Sequence, residues 1–540
     1  MRNPAALLCS FLAATSALAC SSKPLVTGGT GGLGGGATGG GSYAGPPSWN
    51  RPVTPPADAD AAAQRLACGY AAGSLPAETQ GASYPSGDAI PIKHILVLML
   101  ENRSFDHYFS KLPESGQTDV DVAPSTYTNP DGMGGTVAPY HDSQLCLVDT
   151  NHEWAGSHQE YDSGAMDGFL LANTGWGTAP PHPLASSVSG ARALAYYDST
   201  DIPFYYWLAN EFAVADHYHS ALLGPTWPNR MFFYASTSRG VTGSTIVNFS
   251  DQAGACAADS ACPGAATGSC VNGSCKGTCK VDSDCGVDVP VGTCDVAGGG
   301  DCFQVGRTIF DYMEQRGLDW KVYSSGTPGW AVMLSTWLQY RAAHQFTLAD
   351  YLADAAAGTL PDVAFVDPTD LGNEVYNGDD EHPPAMPQGG QAFSATVIDA
   401  LTRSPAWSSS ALFLTYDEHG GFWDHVPPPA ACEPDGIAPI LAAGDPPGAF
   451  NQYGVRVPMM VVSPFARQHY VAHGVYDHSS IIRFIEARFV LPALTARDAN
   501  ALAPWEMFDF TAPPHAVPPV VSIPSVDPVG VAACAKVWGP

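Results

Sequence analysis

The segment Ile92–Phe109, IKHILVLMLENRSFDHYF, contains a run of apolar residues that stops abruptly at Glu101 and Asn102. A short uncharged run of this kind predicts a buried β-strand. In open α/β sheets, ligands bind beyond the carboxyl ends of the strands, so Glu101 and Asn102 are the first candidate ligands. A salt bridge between Glu101 and Arg103 is the alternative that this segment leaves open.

Further apolar runs alternate with segments of helical periodicity along the rest of the chain. Strands are predicted at 320–323, 363–366, 411–416 and 457–462, and helices at 202–212, 227–237, 305–316 and 478–489. This alternation predicts an α/β fold in which a mostly parallel sheet is sandwiched by helices on both faces.

The predicted strand 411–416 ends in the same way as the first one, because Asp417 and Glu418 follow it directly. Burying two carboxylates is costly unless a cation or several hydrogen-bond donors meet them. A divalent metal ion shared by Glu101, Asp417 and Glu418 would account for both strand ends at once. The alternative is a loop that only caps the next helix.

Thr226 lies in the run LGPTWPNR, at the predicted start of an aromatic helix. The exposed N–H groups and the dipole of a helix N-terminus favour an anion there. A coordinated metal would lower the pKa of a threonine hydroxyl and orient it for attack on phosphorus. An ordinary N-cap threonine is the alternative reading of this segment alone.

Histidines in polar loops are the candidate proton donors and acceptors. His152 and His158 lie in NHEWAGSHQEY, and His382 lies in GDDEHPP. A leaving alkoxide needs a proton and a transferring phosphoryl group needs charge stabilisation, which such loops supply. Each histidine taken singly also has a purely structural interpretation.

The composition excludes some partners. The chain has 23 Lys and Arg against 52 Asp and Glu, which gives a formal net charge of −29. A field of this sign repels nucleic acid and anionic membrane surfaces. With so few basic side chains, a bound metal is the simplest source of positive charge for an anionic substrate.

The first 20 residues predict an export signal, with one early Arg, a short apolar core and a small-residue site before Cys20. The sequence Ala17-Leu18-Ala19-Cys20 resembles a bacterial lipobox, although Leu is more usual at the third position before the Cys. A lipoprotein of the bacterial cell surface or outer membrane and a secreted protein are therefore both open. Residues 21–60 are rich in Gly and Pro and predict a flexible tether. We expect a catalytic domain at 61–515 and a Pro-rich tail at 516–540.

Eight cysteines between Cys256 and Cys302 predict a disulfide-rich insertion within that domain. A zinc site is the alternative, although no Cys-x-x-Cys pair is present there. Setting aside Cys9 and Cys20 leaves twelve of the 14 cysteines, an even number. Four of these lie outside the insertion and are candidates to link elements of the main domain: Cys68, Cys146, Cys432 and Cys534.

Several long motifs, in order, resemble a bacterial phosphoesterase family. They are ENRSFDHYF, HEWAGSHQEYDSGAMDGF, YYDSTDIPFYYWLANEFAVADHYHSALLGPTWPNR, DDEHPP, TYDEHGGFWDHVPPP, YGVRVPMMVVSPFAR and DHSSIIRFIEARF. This family contains phosphatidylcholine-type phospholipases C and a related acid phosphatase, and its fold is similar to that of alkaline phosphatase. The cysteine-rich insertion departs from the family pattern.

The resemblance implies a residue-level assignment. Metal ligands would be Glu101, Asn102, Thr226, Asp417 and Glu418, with Thr226 also the nucleophile. His382, together with His152 or His158, would serve the phosphoryl group. Oxygen ligands suit a hard cation such as Mg²⁺, Ca²⁺ or Mn²⁺, and Fe and Zn²⁺ remain open.

The implied activity is a phospholipase C that cleaves phospholipid diesters through a phosphothreonine intermediate. Its partners would then be a phospholipid or small phosphoester and a membrane, reached through the lipid substrate and an N-terminal lipid anchor. Acid phosphatase activity on monoesters and a non-enzymatic surface binding protein are the alternatives. A sulfatase is disfavoured, because those enzymes need a Cys or Ser where this chain has Thr226.

Overall fold

The computed structural model describes residues 46–177, 189–244, 308–326, 329–333, 337–368 and 376–538, together with four short strands between 269 and 303. The predicted export signal, Cys20 and most of the glycine-rich tether lie outside the described residues. So does most of the cysteine-rich insertion, of which two antiparallel strand pairs are described: Ser269–Val271 with Ser274–Lys276, and Thr293–Asp295 with Asp301–Phe303.

An eight-stranded sheet forms the centre of the fold. In chain order its strands are β1 (His94–Leu100), β2 (Ala213–Ala215), β3 (Trp320–Ser324), β4 (Gln345–Thr347), β5 (Val363–Asp367), β6 (Ser410–Tyr416), β7 (Met459–Val462) and β8 (Tyr470–Ala472). Their spatial order is β4-β3-β5-β1-β6-β7-β2-β8. Only β7 runs antiparallel to its neighbours, so the predicted mostly parallel sheet is confirmed.

The central strands are buried along their length, which requires cover on both faces of the sheet. Phe413 of β6 packs against Phe484, with ring centroids 5.2 Å apart. Tyr416 is three residues further on and therefore faces the other side, where its ring lies 5.6 Å from Tyr108. Helices thus cover both faces, as the sequence predicts.

The α-helices are α1 (Asp58–Leu66), α2 (Pro76–Thr79), α3 (Phe105–Phe109), α4 (Trp154–Tyr161), α5 (Phe169–Asn173), α6 (Pro203–Glu211), α7 (Thr226–Ala235), α8 (Ile309–Arg316), α9 (Trp337–His344), α10 (Leu348–Ala357), α11 (Pro387–Arg403), α12 (His478–Phe489), α13 (Ala496–Ala499) and α14 (Pro528–Trp538). Short 3-10 helices lie at Pro47–Asn50, Gly87–Ala89, Leu112–Ser115, Asp162–Gly164, Gly190–Leu194, Trp330–Met333, Trp407–Ser409 and Trp505–Met507.

Local chemistry sets several element boundaries. Strand β7 begins at Met459, two residues later than predicted, and Pro458 has no N–H to donate to a ladder. Helix α8 begins after Thr308, whose N–H and hydroxyl both donate to the Asp311 carboxylate, at 2.7 and 2.9 Å. It ends at Gly317, where φ is +73°.

Two disulfides join distant parts of the chain, as expected for the four cysteines outside the insertion. Cys68 is bonded to Cys432 and Cys146 to Cys534. The second bond attaches α14, a helix within the predicted Pro-rich tail, to the main body. Short strand pairs complete the structure at Asn129–Pro130 with Thr136–Val137, Tyr140–His141 with Ala195–Tyr196, and Tyr218–His219 with Tyr476–Asp477.

Over the ranges given above, none of the helices combines the length and the apolar character needed to cross a membrane.

Candidate active site

Strands β1 and β6 deliver polar residues to the same edge of the sheet. They pair in parallel with Leu100 opposite Tyr416, so the residues that follow each strand become neighbours. The Asn102 N–H donates to Asp417 Oδ1 at 3.2 Å. All four residues predicted from the strand ends are buried here: Glu101, Asn102, Asp417 and Glu418.

The turn after β1 has an unusual backbone conformation at Asn102. Asn102 has φ of +62°, a left-handed conformation that asparagine adopts more readily than most residues. Gly420 packs against it so closely that an added Cβ would come within 2.4 Å of the Asn102 carbonyl oxygen. The glycine after Asp417-Glu418 therefore allows the two strand ends to approach each other.

Thr226 is the first residue of α7 and meets the same edge of the sheet. Its side chain is 5% exposed, and its Oγ1 donates to Asn102 Oδ1 at 3.4 Å. The N-terminus of α7 favours a negatively charged group next to this hydroxyl. The structure thus brings together Thr226 and the residues at both strand ends.

Arg230 is a buried site residue whose role the sequence reasoning missed. Its Nε donates to Asp417 Oδ2 at 3.1 Å, and its Nη2 lies 3.4 Å from Glu101 Oε1. The guanidinium also stacks on Trp330, 4.2 Å from the ring centroid. The sequence could have indicated Arg230 through its spacing, because Thr226 and Arg230 are four residues apart and share one face of the helix.

The carboxylates at the site have shifted pKa values. Burial raises the pKa of Asp417 to about 6, although Arg230 opposes the shift. Burial also raises the pKa of Glu101 well above its usual value, again against the charge of Arg230. Glu418 shifts the other way: burial opposes it, but nearby His152 and His419 lower its pKa.

Two carboxylate oxygens at the site have no hydrogen-bond partner. Glu418 Oε2 accepts from the Gly420 N–H at 2.6 Å, whereas Glu418 Oε1 is buried without a hydrogen bond. Glu101 Oε1 is also buried without one. Unsatisfied buried acceptors are rare and require an explanation, and a cation meets that requirement.

The donor set fits a hard divalent cation, provided that uncharged ligands take part. Among the described residues, three groups of His and carboxylate side chains have ligand atoms within 4.8 Å of one another: Asp149/His152/His382, Asp106/Asp424/His425 and His141/Asp198/Asp201. Glu101, Asp417 and Glu418 do not form such a group. The three carboxylates alone therefore do not enclose an ion in this arrangement, and the Asn102 amide oxygen and the Thr226 hydroxyl are the neutral oxygen donors at the site.

His152 and His382 lie beside this site. His152 Nε2 is 3.3 Å from Asn102 Nδ2 and 3.9 Å from Glu418 Oε1. Burial opposes the change, but the charges of Glu418 and Asp149 raise the pKa of His152 to about 10. The His382 ring lies 5.7 Å from that of His152, and burial lowers its pKa to about 4.

His158 is directed elsewhere. Its ring packs on Trp154 of the same helix, 4.3 Å away, and its Nδ1 contacts the Trp154 carbonyl oxygen at 2.7 Å. It lines a neighbouring cavity of about 330 Å³. Asp149, which the sequence reasoning did not single out, lies 3.7 Å from His152 Nδ1 instead. Its only signal was its position three residues before His152.

Arg103 supports the site from beneath. It donates to the backbone carbonyls of Glu381 and Ala385 and stacks on Phe422, 5.0 Å from the ring centroid. Glu101 has its ion pair with Arg230, so the alternative of a Glu101–Arg103 salt bridge is not needed.

A sequence model of the Phosphoesterase family matches residues 92–492. The chain is 29% identical over 500 residues to phospholipase C A of Mycobacterium tuberculosis, covering 82% of each chain. It is 30% identical over 476 residues to non-hemolytic phospholipase C of Pseudomonas aeruginosa, covering 79% of this chain and 59% of that one. For non-specific phospholipase C6 of Arabidopsis thaliana the identity is 29%, covering 81% and 76%.

The matched residues include both polar strand ends, the start of α7 and the loops that carry His152 and His382. Because the match extends over most of the chain, this protein belongs to the phosphoesterase family.

Proposed function

We propose that this protein is a metal-dependent phospholipase C that cleaves phospholipid diesters through a phosphothreonine intermediate at Thr226. The observation that carries the proposal is the position of the Thr226 hydroxyl at the start of α7, 3.4 Å from Asn102 Oδ1. The oxygens of Glu101 and Glu418 that lack hydrogen bonds support it, as does the similarity of the chain to phospholipases C.

In the proposed reaction, Thr226 Oγ1 forms a bond to phosphorus as the bond between phosphorus and the diacylglycerol oxygen breaks. Water then cleaves the phosphothreonine, which still carries the headgroup, and restores the hydroxyl. Glu101, Asn102, Thr226, Asp417 and Glu418 would hold the cation. When bound, a divalent ion would lower the pKa of the hydroxyl and balance charge on the phosphoryl oxygens.

His152 is the stronger candidate for protonating the leaving diacylglycerol oxygen. The charges of Glu418 and Asp149 raise its pKa against the effect of burial, and its Nε2 lies 3.3 Å from Asn102 Nδ2 at the candidate site. His382 would stay neutral beside it and suits the removal of a proton from Thr226 or from water. His158 lies in the adjoining cavity and would contact the substrate only away from phosphorus.

The test is a substrate panel on chelator-treated protein to which Mg²⁺, Ca²⁺, Mn²⁺, Fe²⁺ or Zn²⁺ is returned. Release of phosphocholine from phosphatidylcholine supports the proposal. Faster release of phosphate from a simple aryl monoester would instead identify an acid phosphatase. If the protein hydrolysed neither substrate with any ion, a surface binding protein would be the better account.

We further propose that the chain is exported and that its catalytic domain comprises residues 61–515, with 256–302 as an insertion. Disulfides such as Cys68–Cys432 and Cys146–Cys534 persist in oxidising compartments, which supports export. Lipid attachment at Cys20 would be tested by the mass of the mature N-terminus. A protein cleaved after a different residue and lacking lipid would be secreted instead.

A further inference from the structure

A loop at 437–449, here called the apolar loop, exposes aliphatic side chains at the surface. Ile437, Ile440 and Leu441 are 43%, 50% and 37% exposed, and they lie within five residues of one another. Soluble proteins rarely expose clustered apolar side chains without a use for them.

The backbone of the apolar loop is fixed, so these side chains are held at the surface. The Ile440 N–H donates to the Gly240 carbonyl oxygen at 2.8 Å, and Thr242 Oγ1 donates to the Ile440 carbonyl oxygen at 2.7 Å. Gly240 has φ of +90°, and a Cβ there would lie 3.0 Å from the Ala438 carbonyl oxygen. The loop therefore depends on a glycine at its point of attachment.

The apolar loop also lines a cavity whose other walls come from segments close in sequence to the candidate site. Its residues Pro446, Pro447 and Gly448 line the cavity of about 330 Å³ that Trp154 and Leu223 also line. Leu223 lies three residues before Thr226, and Trp154 lies two residues after His152. The cavity is thus built from the two segments that carry the proposed nucleophile and proton donor.

The negative charge around the apolar loop disfavours contact with an anionic lipid surface. The sequence has no Lys or Arg between Arg403 and Arg456, and Asp445 lies within the loop itself. The net charge of −29 opposes anionic lipid surfaces. Contact with a layer would therefore depend on burial of aliphatic side chains rather than on attraction to charged headgroups.

We propose that the apolar loop inserts Ile437, Ile440 and Leu441 into the surface of a zwitterionic phospholipid layer. The cavity behind it would then open towards the lipid from which the substrate is drawn. This inference rests on the proposed phospholipase C function, since an enzyme with a water-soluble substrate would not need to bind a lipid layer.

The test compares two triple variants of the full chain, each checked for an unchanged thermal unfolding midpoint. In the first, I437S/I440S/L441S removes the aliphatic groups of the loop. In the matched control, V517S/V520S/I523S removes exposed aliphatic groups far along the chain, which are 85%, 86% and 51% exposed. Vesicle binding is measured by co-sedimentation in the Thr226→Ala background, so that the lipid is not consumed.

We expect the loop variant to bind phosphatidylcholine vesicles about tenfold more weakly or worse, because three aliphatic groups no longer leave water. With Thr226 intact, the same variant should hydrolyse a water-soluble phosphocholine diester at the wild-type rate and vesicles poorly. The control variant should match the wild type in both assays.

Equal vesicle binding by wild type and loop variant would overturn the inference, as would equal loss in both triple variants. Binding that requires phosphatidylserine in the vesicles would overturn it too. So would a wild-type dimer that the loop variant dissociates without any change in vesicle binding. Failure of the wild type to cleave the soluble diester would instead count against the proposed function, while the co-sedimentation result would still decide the role of the loop.

Discussion

The Thr226 hydroxyl donates to the side-chain oxygen of Asn102 at 3.4 Å, although the two residues are 124 positions apart in the chain. This contact joins the start of α7 to the end of β1. It places the hydroxyl beside Asn102 in the turn that follows β1, and Asn102 is next to Glu101 in the chain. Glu101 Oε1 and Glu418 Oε1 are both buried without a hydrogen bond.

The Glu101→Gln substitution tests metal ligation. We expect it to weaken binding of the activating divalent ion by about 100-fold or more, because one anionic oxygen ligand is lost. Isothermal titration calorimetry measures the change. Glu114→Gln is the matched control, since that carboxylate is 70% exposed. A lower thermal unfolding midpoint for Glu101→Gln with unchanged ion affinity would assign Glu101 a structural ion pair with Arg230 instead.

Replacing His152 and His158 separately should assign the proton donor. With phosphatidylcholine we expect His152→Asn to lower kcat by about 10²-fold or more, and His158→Asn to have little effect. With a nitrophenyl phosphodiester as substrate, the loss of kcat in His152→Asn should be smaller, because a nitrophenolate leaving group needs no proton. Steady-state kinetics on both substrates is the measurement. An identical defect on both would mean that His152 positions Asn102 rather than donating a proton.

Arg230→Met should destabilise the protein by about 3–5 kcal/mol, because the carboxylates of Glu101 and Asp417 lose their buried counter-charge. Urea unfolding in the presence of a chelator measures this free energy, with Arg230→Lys as the charge-preserving comparison. A loss below about 1 kcal/mol, as for an exposed ion pair, would contradict the proposed structural role.

His219 should make the fold sensitive to acid. It is fully buried, its Nδ1 contacts the Gly454 carbonyl oxygen at 2.9 Å, and burial lowers its pKa to about 3. The unfolded chain takes up a proton near pH 6.5 and the folded chain does not, so stability is lost as pH falls from 6.5 towards 3. At pH 5 this amounts to about 2 kcal/mol. The unfolding free energy of His219→Asn relative to that of the wild type should therefore be about 2 kcal/mol higher at pH 5 than at pH 7.5. Urea unfolding at both pH values measures this difference. Parallel stability curves for the two proteins would contradict this.

The polar strand ends could be predicted from the sequence because each signal is local. An uncharged strand followed by Glu101-Asn102, and another followed by Asp417-Glu418, implied one edge of one parallel sheet. The register of Leu100 against Tyr416 agrees with that expectation.

Other features of the site depend on contacts between segments that are remote in the chain, and such contacts leave no local pattern in the sequence. Glu381 accepts hydrogen bonds from the hydroxyls of Tyr108, Tyr205 and Tyr416, each from a different element. His152 and His158 belong to one sequence motif but lie in different places. His152 precedes α4 and lies beside Asn102, whereas His158 is within α4 and lines the cavity. Both arrangements follow from tertiary packing.

The central claim is that Thr226 forms a covalent bond to phosphorus. The most direct measurement is acid quenching of the metal-loaded protein during turnover of phosphatidylcholine, followed by peptide mass spectrometry. The account predicts a phosphocholine group on Thr226, absent from Thr226→Ala. A diacylglycerol burst with no modification of that peptide, or a modification at another residue, would contradict it.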